Sequence, residues 1–479
     1  MSTHRCDVAI IGAGTAGMGA YRAATAHGAG TLLIEGGVYG TTCARIGCMP
    51  SKLLIAAANA AHGAREAGGF GVQVPQVGID GAAVMRRVQS ERDRFVGFVV
   101  ETVESWPKAH RLHARARFEG PGVLALSNGD RVEAGRVVIA TGSAPRLPGP
   151  LGTLPRERVD SNDSIFEWPD LPESVAVFGT GVIGLELGQA LHRLGVRVRV
   201  FGRSRRVAGI TDPEVAAKAR EVLGAELPLT LESELLDIAD EGEAFHVRWR
   251  DAGGEHSERF ARVLAATGRA PNVEGLNLAA AGVPLDDKGL PRFDPRTAQC
   301  GDAPVFIAGD VNNEKPLLHE AADEGRIAGD NAGRWPDVQP GHRRTPLSVV
   351  FCEPQVVALG QSFRGLCESE VDFAVGQVDF AGQGRARVIR ENAGLLRVYG
   401  EHGSGRLLGA EIIGPRAEHL GHLLAWSVQA GFTVDEALAM PFYHPVIEEG
   451  LRTALRDLAH ALEKGPAPVP GCDVHGPGG

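Results

Sequence analysis

Apolar residues in this chain come in short unbroken runs, each followed by a glycine turn and then by a stretch where small and apolar positions return every three to four residues. The first such block, DVAIIGAGTAGMGAYRAATAHGAGTLLIEGG from Asp7, reads as buried strand, glycine turn, helix and second strand. A block of the same order, SVAVFGTGVIGLELGQALHRLGVRVRVFGRS, starts at Ser174. Each copy closes on a similar run, VVIATGSAPR (Val137 to Arg146) and VLAATGRAPN (Val263 to Asn272). The repeat predicts an α/β protein with two Rossmann-like nucleotide-binding units. From Gly12 to Ala140 is 128 positions and from Gly179 to Ala266 is 87, so the first copy carries about 41 extra residues. Much of that excess can be the segment GTTCARIGCMPSK, residues 40–52.

The glycine turns have separable jobs. Gly12 permits the tight turn after the strand, Gly14 lets backbone approach a pyrophosphate, and Gly17 lets the helix pack on the strand. The helix N-terminus then faces the phosphates. Glu35 ends the second strand 23 residues after Gly12, the spacing of a carboxylate that hydrogen-bonds a ribose hydroxyl. In the second copy Gly179, Gly181 and Gly184 sit in the same places, but Gly202 stands where the acid would be and Arg203, Arg205 and Arg206 follow. That pattern favours a 2′-phosphate, hence NADP over NAD, with a solvated basic turn as the plainer alternative.

Composition narrows the picture. A chain of 479 residues exceeds one core, so about three domains are expected. With 43% hydrophobic and 23% charged residues and no apolar run near ~18, the chain reads as soluble rather than membrane-spanning, and its start reads as a strand rather than a signal peptide. A net charge of −10 with no long basic block argues against nucleic acid. Seven cysteines in such a length suggest a reducing, cytoplasmic setting, where any disulfide should be functional.

Cys43 and Cys48 are the first candidates for that chemistry. Residues five apart in a regular helix are about 8 Å apart along the axis, whereas a disulfide wants Cα atoms near ~5.5 Å, so the segment must bend for a bridge to close. Pro50 marks a helix beginning nearby, whose N-terminus would favour a Cys48 thiolate. On residues alone, two core cysteines, half a zinc site and a structural bridge remain alternatives, although a zinc site would want about four ligands and no second cysteine pair is at hand.

Further on, VFIAGDV (Val305 to Val311) is a buried strand ending in a carboxylate that could serve a polyhydroxyl chain. With this third signal the chain resembles, over nearly its whole length, the flavoprotein disulfide reductase family, and most closely its dihydrolipoamide dehydrogenase branch. Residues 40–52 resemble that family's GGTCxNxGCxPSK, departing at Thr41, Ala44 and Arg45 and keeping both cysteines and Pro50-Ser51-Lys52. The resemblance implies FAD in the first unit, a nicotinamide nucleotide in the second, and a C-terminal α+β domain that makes a homodimer. It implies a redox-active Cys43–Cys48 disulfide, with Cys43 meeting the dithiol substrate and Cys48 facing the flavin. It places Lys52 beside the flavin with Glu186 as its partner, although the residues alone would make Glu186 a helix-surface carboxylate. Asp310 would bind the ribitol. Flavin contacts extend to Thr42, Lys52, Ala116, Thr141, Gly142 and Leu318, and nucleotide contacts to Arg203 and Gly268. No metal is implied. Val182 stands where glutathione reductases carry a gating tyrosine.

Thiol exchange also needs a proton acceptor, and His444 in MPFYHPVIEEG is the choice among 16 histidines, with Pro445 able to open a helix just after it. Periodicity would nominate Glu448 to orient the imidazole, while the family pattern HPxxxE matches Glu449. In the family this histidine reaches the disulfide of the other subunit. Phe442 and Tyr443 depart from the family's HAHP, which bears on the shape of the dithiol entrance.

The expected organisation is a flavin domain at 1–150, a nucleotide domain at 151–272, a return segment at 273–341, a dimerisation domain at 342–465 and a disordered tail at 466–479 bearing Cys472 and His475. Pro-rich stretches, Trp168 to Pro172 and Arg334 to Pro346, read as linkers. The expected activity is two-electron transfer between dihydrolipoyl groups, on a carrier protein or as a small dithiol, and NAD(P)⁺. Glutathione-like disulfide reduction, mercuric ion reduction and a non-catalytic lipoyl-domain-binding flavoprotein are the alternatives.

Overall fold

The computed structural model describes residues 2–472, which divide into two compact units. The first comprises the chain up to Leu53 together with Arg86–Arg146 and Gly268–Arg343. Its centre is a seven-stranded sheet. Thr3–Ile11 pairs in parallel with Thr31–Glu35 on one side and Arg131–Ile139 on the other, and Val305–Ile307 returns to pair in parallel with Val137 to Ile139. Strands buried on both faces must be apolar throughout, and Val8, Ala9, Ile10, Val137, Val138 and Ile139 are all fully buried. Thr15–Ala26 and Leu318–Arg334 pack on one face, where Gly325 and Gly329 lie against the backbone of Ala16 and Ala20 so closely that a Cβ would collide with it. The closing runs of the two sequence copies meet here, Ser143–Pro145 pairing antiparallel with Arg269–Pro271.

The second unit comprises Leu54–Met85, Leu147–Thr267 and the chain from Arg344. It carries the second copy of the repeat as a parallel sheet ordered 229–230, 197–201, 174–178 and 262–265. Beside it are a three-stranded antiparallel sheet over 234–260 and a five-stranded antiparallel sheet ordered 347–350, 355–360, 407–414, 395–401 and 373–379. Helices Ala417–Ala430 and Glu448–Glu463 cover the five-stranded sheet, giving the expected C-terminal α+β architecture. No helix among the described residues is long and apolar enough to cross a membrane.

A buried polar knot ties the helix Pro213–Glu226 to that sheet. Arg397 donates to Asp212 at 2.6 Å and the Tyr399 hydroxyl donates to the same carboxylate at 3.0 Å. Asp212 also caps the helix by accepting from the Glu214 and Val215 amides. Glu411 accepts from the amides of Thr211 and Asp212 at 2.7 and 2.9 Å.

The tail expected to be disordered is described as far as Cys472, which forms a disulfide with Cys367, 105 residues earlier. Val469 and Cys472 pack against the cluster of Phe363, Leu366, Phe373 and Tyr399, and this apolar contact is what a reading of Pro and Gly content alone leaves out. His475 lies outside the described residues.

Candidate active site

The two glycine turns are superimposable in their logic. Gly12 adopts φ +108° and Gly179 φ +123°, and a Cβ on either would strike the carbonyl of Ala140 or Ala266. A Cβ on Gly17 or Gly184 would strike the carbonyl of Gly12 or Gly179, so each helix packs directly on its turn. Gly14 and Gly181 have nothing within 4 Å of that position, and no side chain caps the helix that follows either one. Each turn thus offers bare backbone amides at the positive end of a 12-residue helix, which is the chemistry of a pyrophosphate cradle.

Glu35 lies at the end of its strand as expected. Its two oxygens accept from the amides of Ala13 and Gly37, both at 2.7 Å, which fixes the carboxylate against the first turn and leaves further lone pairs for a hydroxyl donor. Asp310 follows Gly309 (φ +80°) and accepts from the Ser143 hydroxyl at 2.7 Å. Ser143 in turn accepts from Arg269 Nε at 2.8 Å. Sequence reasoning missed Ser143 and Arg269; both sit one position past the Thr-Gly pairs it singled out, so the repeat itself was the signal. Thr141 donates to the Asn272 carbonyl at 2.8 Å, and Gly142 (φ +68°) and Gly268 (φ +96°) make the two turns that let these tails pair. Ala116 is buried in the strand Ala116–Gly120. Leu318 opens the helix Leu318–Arg334 and, with Thr15 and Thr41, lines a cleft of about 570 Å³.

The cysteine segment bends as the bridge geometry demands. The helix Thr42–Ile46 stops at Gly47, and a second helix, Cys48–Glu66, begins at Cys48. A Cβ on Gly47 would stand 3.0 Å from the Thr42 carbonyl and 3.2 Å from Cys43 Cα, so the fold-back needs glycine there. Pro50 falls in the first turn, where its missing amide hydrogen costs little. Cys43 and Cys48 are present as thiols and are hydrogen-bonded to each other. That hydrogen bond, then burial, then the charge of Cys48 push the Cys43 thiol far up, while Lys52 pulls it down. Thr41, in a place where the family pattern has glycine, adopts φ +45°, a costly conformation for a β-branched residue, and its side chain accepts from the Ala44 amide at 3.3 Å.

In the second unit Glu186 is only 3% exposed, not the surface carboxylate that its residue pattern alone suggests. It accepts from the Phe351 amide at 2.9 Å, because its helix buries this face beneath the loop 351–354. Arg203 is exposed on the loop after the strand Arg197–Phe201, with Arg205 and Arg206.

His444 and Glu449 meet. The imidazole Nδ1 lies 3.1 and 3.0 Å from the two Glu449 oxygens, and Arg452 donates to the same carboxylate at 3.1 Å. The hydrogen bond with His444 is the main reason the Glu449 carboxyl is held below its usual range. Glu448 takes no part in this contact. The helix opens at Glu448 rather than at Pro445, since Glu449 accepts from the Val446 amide and Gln383 donates to the Val446 carbonyl, holding residues 445–447 as a turn. Nδ1 is engaged on a side chain that is 80% exposed, which leaves Nε2 as the ring nitrogen not held by Glu449.

Residues 6–325 match the family described as Pyridine nucleotide-disulphide oxidoreductase, and residues 347–455 match its dimerisation domain. A mercuric reductase of Streptomyces lividans is 30% identical over 475 residues, covering 96% of this chain and 97% of the relative. A dihydrolipoyl dehydrogenase of Thermus scotoductus is 30% identical over 470 residues, with 96% and 97% covered. Among solved structures, LpdA of Mycobacterium tuberculosis aligns with a TM-score of 0.80 at 24% identity, over 95% of this chain and 99% of that one. The HOCl-induced flavoprotein disulfide reductase RclA of Escherichia coli aligns with a TM-score of 0.77 at 21% identity, over 94% and 99%. These two likenesses bear on the fold.

Proposed function

The chain belongs to the pyridine nucleotide-disulphide oxidoreductase family, and from that premise we propose that it oxidises dihydrolipoyl groups at the expense of NADP⁺, through FAD and a Cys43–Cys48 redox pair, as a homodimer. The observation that carries the proposal is the broken helix that folds Cys48 back beside Cys43, together with an oriented histidine on the dimerisation domain. The uncapped helix after Gly14, with Glu35 and Asp310 at the flanking strand ends, fits FAD; Glu35 and Asp310 would hold its hydroxyls and the backbone at Gly14 its pyrophosphate. Bound there, FAD would supply a two-electron acceptor that passes hydride equivalents on to the nicotinamide.

The chain's own part is thiol exchange. His444 Nε2 takes the proton of a dihydrolipoyl thiol, and the thiolate attacks the partner subunit's Cys43 in its disulfide. The Cys43–Cys48 bond breaks as the mixed disulfide forms, and Cys48 leaves as a thiolate carrying the electron pair. The second substrate thiol then attacks the substrate sulfur of the mixed disulfide, closing the lipoyl ring, and its proton passes to the departing Cys43 sulfur, which is released as a thiol. Glu449 holds the imidazole through Nδ1 and so fixes its orientation.

NADP⁺ is preferred on the strength of Gly202 and the exposed Arg203, Arg205 and Arg206. Exposed Trp426, Leu423 and Tyr443 offer apolar surface for a second copy. Mercuric ion reduction, named for the Streptomyces relative, is the second reading; the engagement of Cys472 with Cys367 disfavours a tail thiol delivering metal. Steady-state assays with dihydrolipoamide should give turnover with a kcat/KM at least about tenfold higher for NADP⁺ than for NAD⁺. No dithiol oxidation, but NADPH consumption with mercuric ion or glutathione disulfide, would replace the substrate.

A further inference from the structure

Gly202 directly follows the strand Arg197–Phe201 of the nucleotide unit, at the place where the flavin unit carries Glu35. A side chain at this position would be crowded. A Cβ on Gly202 would stand 2.9 Å from the Thr180 methyl and 3.0 Å from Leu231 Cδ2. Thr180 is itself engaged twice with the loop that follows. Its hydroxyl donates to the Arg206 carbonyl at 2.7 Å, and its carbonyl accepts from the Ala208 amide at 2.9 Å. Ala208 is held at φ 58°, and the buried Val207 between these two contacts anchors the loop in the core. At its near end the loop is fixed by the Gly202 amide, which donates to Thr230, and the Gly202 carbonyl, which accepts from Ser233. Residues 203–206 therefore stay exposed while both ends are pinned.

Thr180 lies between Gly179 and Gly181, so one residue belongs to the pyrophosphate turn and at the same time clasps the arginine loop. We propose that Thr180 is a positioning residue for coenzyme choice: it locks the 203–206 loop in register with the glycine turn, so that a 2′-phosphate and a pyrophosphate are met at a fixed separation, and its methyl bars an acidic side chain from position 202. The inference rests on the 2′-phosphate reading above and deepens it. It also couples two positions 22 residues apart, because a side chain added at Gly202 must push Thr180 away from Arg206.

The test is steady-state kinetics of the FAD-loaded enzyme with NADPH or NADH as donor and lipoamide as acceptor, paired with calorimetric dissociation constants for NADP⁺ and NAD⁺, on wild type, Thr180→Val, Thr180→Ser, Gly202→Ala and the Val/Ala double variant. Losing one hydrogen bond in the Thr180→Val protein should raise KM for NADPH about 3- to 10-fold, with kcat within about twofold and KM for NADH little changed. Thr180→Ser keeps the hydroxyl and should retain the NADPH preference. Gly202→Ala should reproduce the Thr180→Val defect, and the double variant should be no worse than either single one, since both break the same contact. An NADPH/NADH ratio unchanged in Thr180→Val, a Thr180→Ser variant as impaired as it, or additive losses in the double variant would overturn the role of Thr180 while leaving the coenzyme assignment standing. A wild type that uses NADH as well as NADPH would overturn both.

Discussion

Individual residues here are set by what surrounds them more than by their type. Glu449 can orient His444 because it is itself held by Arg452 and the Val446 amide. Replacing it by Gln removes the charge and keeps the shape, and should lower kcat/KM for dihydrolipoamide about 10- to 100-fold without changing flavin content, measured by steady-state assay and absorbance. Glu353 shows the opposite situation. Burial, aided by the charge of Glu391, pushes its carboxyl up to about 6. A carboxyl whose folded value lies above its unfolded one contributes stability that is present below about pH 4.5 and is lost as pH rises through about 6. Glu353→Gln should therefore be more stable than wild type by about 1–2 kcal/mol at pH 7 and no more stable below about pH 4.5, read from denaturation midpoints at the two pH values. What the sequence made legible at this scale was local. Gly12, Gly14 and Gly17, and the bend between Cys43 and Cys48, follow from backbone geometry within a few residues. The burial of Glu186 under Phe351 and the Asp310–Ser143–Arg269 chain depend on segments brought together from more than 100 positions away, and no local pattern encodes them.

At the scale of elements, the repeat was readable because each βαβ copy carries its own period and its own turn. The opening of the last helix was not, since the turn 445–447 is held by Glu449 and by Gln383, the cap of the short helix Gly384–Ile389. The Cys367–Cys472 link was equally hidden: composition made the tail look unstructured, whereas Val469 and Cys472 find an apolar cluster that exists only once the sheet has formed. The knot of Asp212, Arg397, Tyr399 and Glu411 is another such long-range tie, and it is buried. Arg397→Ala leaves the 0% exposed Asp212 without its cation, and should cost about 3–5 kcal/mol in a urea titration. A loss under about 1 kcal/mol would mean that Tyr399 and the helix amides satisfy Asp212 without help.

For the molecule as a whole, the proposed function has the chain move an electron pair between a dithiol and a pyridine nucleotide through Cys43 and Cys48. The family and its dimerisation domain set the frame, and in the proposed function the bent cysteine segment and the His444–Glu449 pair are the groups that would carry the chemistry. The direct measurement is an anaerobic titration of the FAD-loaded protein with dihydrolipoamide, following the flavin spectrum, with NADP⁺ or NAD⁺ added afterwards. A long-wavelength band that rises with the dithiol, fades on NADP⁺ and is missing in Cys48→Ser is the predicted result. A flavin that bleaches without that band, or a band that persists in Cys48→Ser, would contradict it.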